Sequence, residues 1–204
     1  MIKAKLGTRL DAIVKAALPF LFRRPVNPNL LTVTGCLVSL VAAAAFARGW
    51  FATGGLLILA GGLFDLVDGI VAREHRISTR FGAFLDSTLD RLVDMALLIG
   101  VAMHYALQGE PGHVLLAGAT LVTSVLVSYA QARAELVVAE FRVGILERAE
   151  RVLILAAGAL SGFMVPALWI VAVGSAITVA QRVALAYQEM ERLDADERAL
   201  REQL

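Results

Sequence analysis

The sequence predicts an all-α integral membrane protein: six transmembrane helices preceded by an N-terminal amphipathic helix lying in the membrane interface. Three observations predict it. Of 204 residues, 58% are hydrophobic and mean hydropathy is +0.73, above the usual balance of a soluble domain. The apolar residues gather into six stretches near the length needed to cross a bilayer. Lys and Arg fall mainly in alternate connections. The length suits one domain, 1–204, divided into an interfacial segment 1–24, a six-helix core 25–188 and a tail 189–204.

The first element is expected over residues 2–18. Ile2, Leu6, Ile13, Val14 and Leu18 share one face, and Lys3, Lys5, Arg9 and Lys15 lie largely off it, the pattern of a helix at a membrane surface. No compact apolar run with a small-residue cleavage site marks a signal peptide. Pro25 and Pro28 break the chain. The six spans are expected over 30–47, 54–72, 81–107, 113–139, 149–164 and 166–188. The turn signals are Gly49, the run Gly109–Gly112 and Pro166. One set of connections holds the N-terminal basic residues, Arg73, Arg76, Arg80, Arg142 and Arg148, and the opposite set holds little beyond Arg48. Both termini are therefore expected in the cytoplasm. The tail reads as a solvated helix end or a frayed segment. Cys36 is alone in an apolar run, which excludes an internal disulfide and reads as a small buried hydrophobe.

Acidic residues inside spans are costly and mark function. The second stretch holds Asp65 and Asp68, and the third holds Asp86, Asp90 and Asp94. Spacings of three and four place each set along one helix face. A short polar connection makes the two helices antiparallel neighbours, with both acidic faces at similar depth near one surface. Such carboxylates need compensation. Arg73 and Arg91 are near enough to offer it, and hard divalent cations suit an oxygen-only donor set better. Two such ions can clamp a phosphoryl transfer. Buried salt bridges are the structural alternative, and for Asp94 a pair with Arg91 is as good a reading as catalysis. Gly69 and Gly82 leave room for close approach of a ligand or another backbone, or serve helix packing, as Gly61 and Gly62 do. Asn29 and Thr32 suit a helix cap.

Written out, the segment is Asp65-x-x-Asp68-Gly69-x-x-Ala72-Arg73, eight residues, then Gly82-x-x-x-Asp86-x-x-x-Asp90. It resembles the CDP-alcohol phosphotransferase signature at every fixed position, and the helix count extends the resemblance over nearly the whole chain. The resemblance implies two divalent cations, Mg2+ or Mn2+, on Asp65, Asp68, Asp86 and Asp90, with Asp90 also the general base. It implies a CDP-lipid site of Gly69, Ala72, Arg73 and Gly82, with Asn29 and Thr32 from a Pro28-Asn29-x-x-Thr32 segment. The donor would be CDP-diacylglycerol and the product CMP, at a site facing the cytoplasm of a prokaryotic cell membrane, in a homodimer.

For the acceptor, Ser128, Gln131, Arg133, Arg148 and Arg151 resemble the branch that uses inositol phosphate, the phosphatidylinositol-phosphate synthases and their archaeal counterparts. Arginine forks suit a phosphate. This chain departs from that branch in having Gln131 where lysine is usual and Ala149 where proline is usual. Glycerol 3-phosphate or another polar alcohol is the alternative acceptor. A cation-coupled transporter and a prenyl-chain transferase are the rival classes, and CMP release separates both from this reading.

Overall fold

A computed structural model describes residues 26–75, 77–138, 141 and 143–202. The amphipathic helix expected over 2–18 lies outside the described residues, as do Arg76 and Arg142. Among those described, the chain is all-helical: α1 (Pro28–Ala47), α2 (Phe51–Glu74), α3 (Arg80–Leu107), α4 (Pro111–Ala134), α5 (Arg148–Ser161) and α6 (Met164–Glu202).

Four helices, α1, α2, α4 and α6, are long and apolar enough to cross a membrane. The other two fall outside that set for physical reasons. Helix α3 carries Asp86, Asp90, Asp94 and Arg91 within its length. Helix α5 has 14 residues, about 21 Å, against a hydrocarbon core of about 30 Å. Large apolar side chains face outward, among them Leu37, Leu56, Leu115 and Trp169, as a lipid-solvated surface requires.

The helix ends differ from expectation in three places. Helix α4 stops at Ala134, five residues short. The described residues between there and α5, 135–138, 141 and 143–147, form turns and irregular chain, tied down by side chains. Gln131 Nε2 donates to the Phe141 carbonyl at 2.5 Å, Arg182 Nε to the Val143 carbonyl at 2.9 Å, and Leu146 N–H to Thr178 Oγ1 at 3.1 Å. The α5–α6 break falls at Gly162, whose φ of +79° suits glycine's lack of Cβ. Pro166 lies inside the first turn of α6, where its missing N–H costs nothing. Helix α6 then runs unbroken through most of the tail. Its 39 residues make about 58 Å, so the described part of the tail, 189–202, is helix.

Helix α1 is the hub. Both α2 and α3 pack along it, α4 packs on α3 and α6, and α5 packs on α2 and α6. Small residues bring the hub close, as lipid-embedded helices require. A Cβ on Gly61 would stand 2.1 Å from Ser39 Oγ, and one on Gly100 would stand 2.3 Å from the Ala43 carbonyl oxygen. Gly62, expected to serve packing as well, faces open space. Cys36 is buried and unpaired. The larger core, around Phe46, Ile58, Leu97, Val101 and Leu168, lies toward one end of the bundle. A smaller one of Leu31, Val67, Ile70 and Val71 lies toward the other. Helices α2 and α3 follow one another in sequence, yet they pack on α1 rather than extensively on each other. The expected direct pairing is thus replaced by a splay.

Candidate active site

The splay opens a cleft of about 180 Å3, lined among others by Asn29, Thr32, Asp68, Gly69, Ala72, Arg73, Gly82 and Asp86. These eight come from the starts of α1 and α3 and the end of α2. The cap of α1 is Asn27, whose side chain accepts from the Asn29 N–H at 3.0 Å. Asn29 and Thr32 are therefore not the capping residues. The Thr32 hydroxyl lies 2.5 Å from Asp68 Oδ2, and both residues are buried. Thr79 caps α3 by accepting from the Gly82 N–H at 2.9 Å. At Gly82 a Cβ would stand 3.0 Å from Asn29 Oδ1, and at Gly69 one would stand 3.2 Å from Arg73 Nη1. Both glycines therefore keep the cleft walls close. Ile77, Ser78, Thr79 and Ala83 also line it. They belong to a loop and helix start whose residue types carry no chemical signal in sequence.

The aspartates sit in tiers. Asp68 is six residues from the end of α2 and Asp86 six from the start of α3, about 9 Å along each helix. Asp65 and Asp90, nine and ten residues in, lie about 15 Å from the helix ends and meet the same guanidinium. Arg148 Nη1 stands 3.0 Å from Asp65 Oδ2 and 2.8 Å from Asp90 Oδ1. Deeper still, Asp94 takes Arg151 Nη2 at 2.8 Å and lies 3.6 Å from Arg148 Nε. The compensating cations therefore come from α5. Arg91, expected beside Asp94, turns back to the Ser87 carbonyl at 2.5 Å.

Of the five candidate acceptor residues, Arg148 and Arg151 reach the aspartates. Arg133 is exposed on the last turn of α4, and Ser128 is half-buried one turn earlier. Gln131 is engaged by Glu135 and the Phe141 carbonyl. Arg151 is 3% exposed, and its Nε and Nη1 meet no hydrogen-bond partner among the described residues. Buried donors of that kind are uncommon, and they suit an anion.

An open cleft bearing the carboxylates of Asp68 and Asp86, with Asp65, Asp90 and two arginines deeper in an apolar helix bundle, is an arrangement suited to a membrane-embedded phosphoryl-group transferase. Residues 25–186 match the model of the CDP-alcohol phosphatidyltransferase family, and the chain belongs to that family. It is 39% identical over 180 residues to the archaetidylinositol phosphate synthase of Methanothermobacter thermautotrophicus, covering 85% of this chain and 89% of that one. It is 42% identical over 192 residues to the phosphatidylinositol phosphate synthase of Streptomyces avermitilis, covering 86% and 78%. The crystal structure of Mycobacterium tuberculosis phosphatidylinositol phosphate synthase with CDP-DAG bound superposes with a TM-score of 0.78 at 32% identity, covering 86% of this chain and 94% of that one. The same enzyme in complex with manganese and citrate also gives 0.78 at 32% identity, covering 85% and 88%.

Metal ions can be tested against the residues present. Among the described residues, no three Asp, Glu, His or Cys side chains form a closed ligand set. The donor chemistry nevertheless fits. Asp65, Asp68, Asp86 and Asp90 offer oxygen alone, as hard divalent cations prefer, and two of them already gather around the positive charge of Arg148.

Proposed function

We propose that this chain transfers the phosphatidyl group of CDP-diacylglycerol to a hydroxyl of inositol phosphate and releases CMP. One observation carries the reading. Six of the eight signature residues line a single cleft, the other two, Asp65 and Asp90, meet Arg148 behind it, and Arg151 stands at Asp94 beside them. The named relatives support it, since they are synthases of inositol-phosphate lipids.

Asn29, Thr32, Gly69, Ala72, Arg73 and Gly82 receive the CDP portion, with the lipid tails left in the bilayer. Asp65, Asp68, Asp86 and Asp90 would hold two divalent cations, Mg2+ or Mn2+, which when bound offset charge on the pyrophosphate and on departing CMP. Thr32 holds the carboxylate of Asp68 in orientation. Arg148 and Arg151 take the acceptor phosphate through their forked donors. Because Arg148 touches Asp90, a phosphate held there sets the acceptor hydroxyl beside that carboxylate. The hydroxyl oxygen bonds to the lipid-side phosphorus, the bond from that phosphorus to the CMP oxygen breaks, and Asp90 takes the hydroxyl proton.

The fold reading extends to six crossings. Helix α3 has 28 residues and is joined to α4 by a three-residue turn, so it traverses the same slab. Helix α5, packed on α2 and α6, completes the set as a short span. With both termini and the cleft on the cytoplasmic side of the cell membrane, CDP-lipid and acceptor meet from opposite phases. The N-terminal segment lies in the interface, and the active form is a homodimer.

Gln131 favours a second reading of the acceptor alone. Lacking the lysine charge usual there, the pocket suits glycerol 3-phosphate or another phosphorylated polyol. The test is CMP release from CDP-diacylglycerol and Mg2+ with inositol phosphate, glycerol 3-phosphate, inositol and serine offered singly. The proposal expects inositol phosphate to support the highest kcat/KM. A preference for glycerol 3-phosphate replaces the acceptor, and a preference for an uncharged alcohol removes the arginine pocket.

A further inference from the structure

We propose that Asp94 is a positioning residue for the acceptor phosphate, one that holds Arg148 and Arg151 together from across the bundle. This rests on the acceptor role given to those arginines above. Asp94 stands one turn past Asp90 on α3 and outside the eight signature residues. The arginines stand on α5, which packs on α2 and α6 and not extensively on α3. Each carboxylate oxygen of Asp94 faces a different arginine: Oδ2 is 2.8 Å from Arg151 Nη2, and Oδ1 is 3.6 Å from Arg148 Nε. The Asp94 side chain is 12% exposed, so water screens these attractions weakly.

Arg148 is thereby strung between two anionic groups. Its Nη1 is drawn to Asp65 and Asp90, and its Nε edge is drawn to Asp94. With the charge of Asp94 removed, the pull becomes one-sided, toward Asp65 and Asp90. Arg151 loses the ion pair at its Nη2, and its Nε and Nη1 already meet no hydrogen-bond partner among the described residues. Two neighbouring guanidinium groups without a shared counter-ion repel and separate. A phosphate needs both forks convergent. Asp94 is absent from the cleft lining, so the CDP-lipid side is left alone.

Asp94→Asn keeps the shape and removes the charge. Steady-state rates of CMP release are measured with Mg2+ while inositol phosphate and CDP-diacylglycerol are varied in turn. Binding of inositol phosphate to the purified protein is measured by calorimetry. The expected result is a KM and a dissociation constant for inositol phosphate raised about tenfold, with the KM for CDP-diacylglycerol and kcat within about threefold. Asp94→Glu keeps the charge and shifts it by one methylene, and it is expected to recover most of the loss. A merely structural role would lower kcat and disturb both substrates together, without recovery in Asp94→Glu, and that pattern overturns the proposal. So does an unchanged acceptor KM.

Arg148→Met and Arg151→Met separate the two levels of the argument. If both leave the acceptor KM unchanged, the acceptor pocket is wrong and the role of Asp94 falls with it. If they raise it and Asp94→Asn does not, only the role of Asp94 falls. Should Asp94→Asn fail to fold, Asp94→Ser is read in its place: an acceptor KM raised about tenfold at constant CDP-diacylglycerol KM supports the proposal, and an unchanged acceptor KM overturns it.

Discussion

Replacing Thr32 with valine removes one hydroxyl and almost no volume. That hydroxyl lies 2.5 Å from Asp68 Oδ2, and the two residues are 5% and 6% exposed, so water cannot readily take its place. A hydrogen bond to a charged group contributes about 1.5–3 kcal/mol. Groups that orient metal-ligating carboxylates typically alter metal affinity or activity by about 10–100-fold when removed. Both figures point the same way. In Thr32→Val the Mn2+ concentration giving half-maximal CMP release is expected to rise at least about tenfold. Thr32→Ser, which retains the donor, is expected within about threefold of wild type. The assay is CMP release across a Mn2+ titration at saturating CDP-diacylglycerol and inositol phosphate. An unchanged Mn2+ midpoint in Thr32→Val, with only the melting temperature lowered, would show that Thr32 serves the fold of α1 and not the orientation of Asp68.

Asp90→Asn, which retains shape and loses basicity, is expected to lower kcat by about 10²–10⁴-fold. Activity near wild type, with Mn2+ still bound by electron paramagnetic resonance, would exclude Asp90 as the base. Chelation with EDTA is expected to abolish CMP release, and excess Mg2+ to restore it; persistent activity after exhaustive chelation would refute the metal assignment. Gly61→Ala places a methyl group against Ser39 and is expected to cost about 1–3 kcal/mol, read as a lower melting temperature in detergent. Gly62→Ala faces open space and is expected to melt at or above the wild-type temperature. Equal melting of the two would refute the close α1–α2 crossing.

The aspartates were readable in sequence because their spacing is local. Intervals of three and four residues fix a helix face whatever surrounds it, and the Gly82–Asp90 register follows from one continuous helix. For Thr32 and Asn29 only the family resemblance points to the cleft, since a helix cap explains them equally well from sequence. The structure separates the two explanations by giving the cap to Asn27. The partners of the acids were less legible. Arg148 meets Asp65 across 83 residues of chain and Arg151 meets Asp94 across 57, and no periodicity encodes such pairs. Local proximity suggests Arg91 for Asp94, but sharing a helix face does not oblige two side chains to pair: Arg91 bonds the Ser87 carbonyl and Asp94 takes Arg151 from another element. The splay of α2 and α3 was also hidden. A short connection implies neighbours, but Gly35, Gly61 and Gly100 bring both helices onto α1, and the space between them becomes the cleft.

The most direct test of the account is the stoichiometry of the reaction with purified protein, CDP-diacylglycerol, Mg2+ and labelled inositol phosphate. The account predicts one CMP released for each labelled phospholipid formed, with neither product when the acceptor is omitted. CMP without labelled lipid would make the enzyme a hydrolase of its donor under these conditions, and no CMP from well-folded, metal-loaded protein with any alcohol would contradict the transfer chemistry itself.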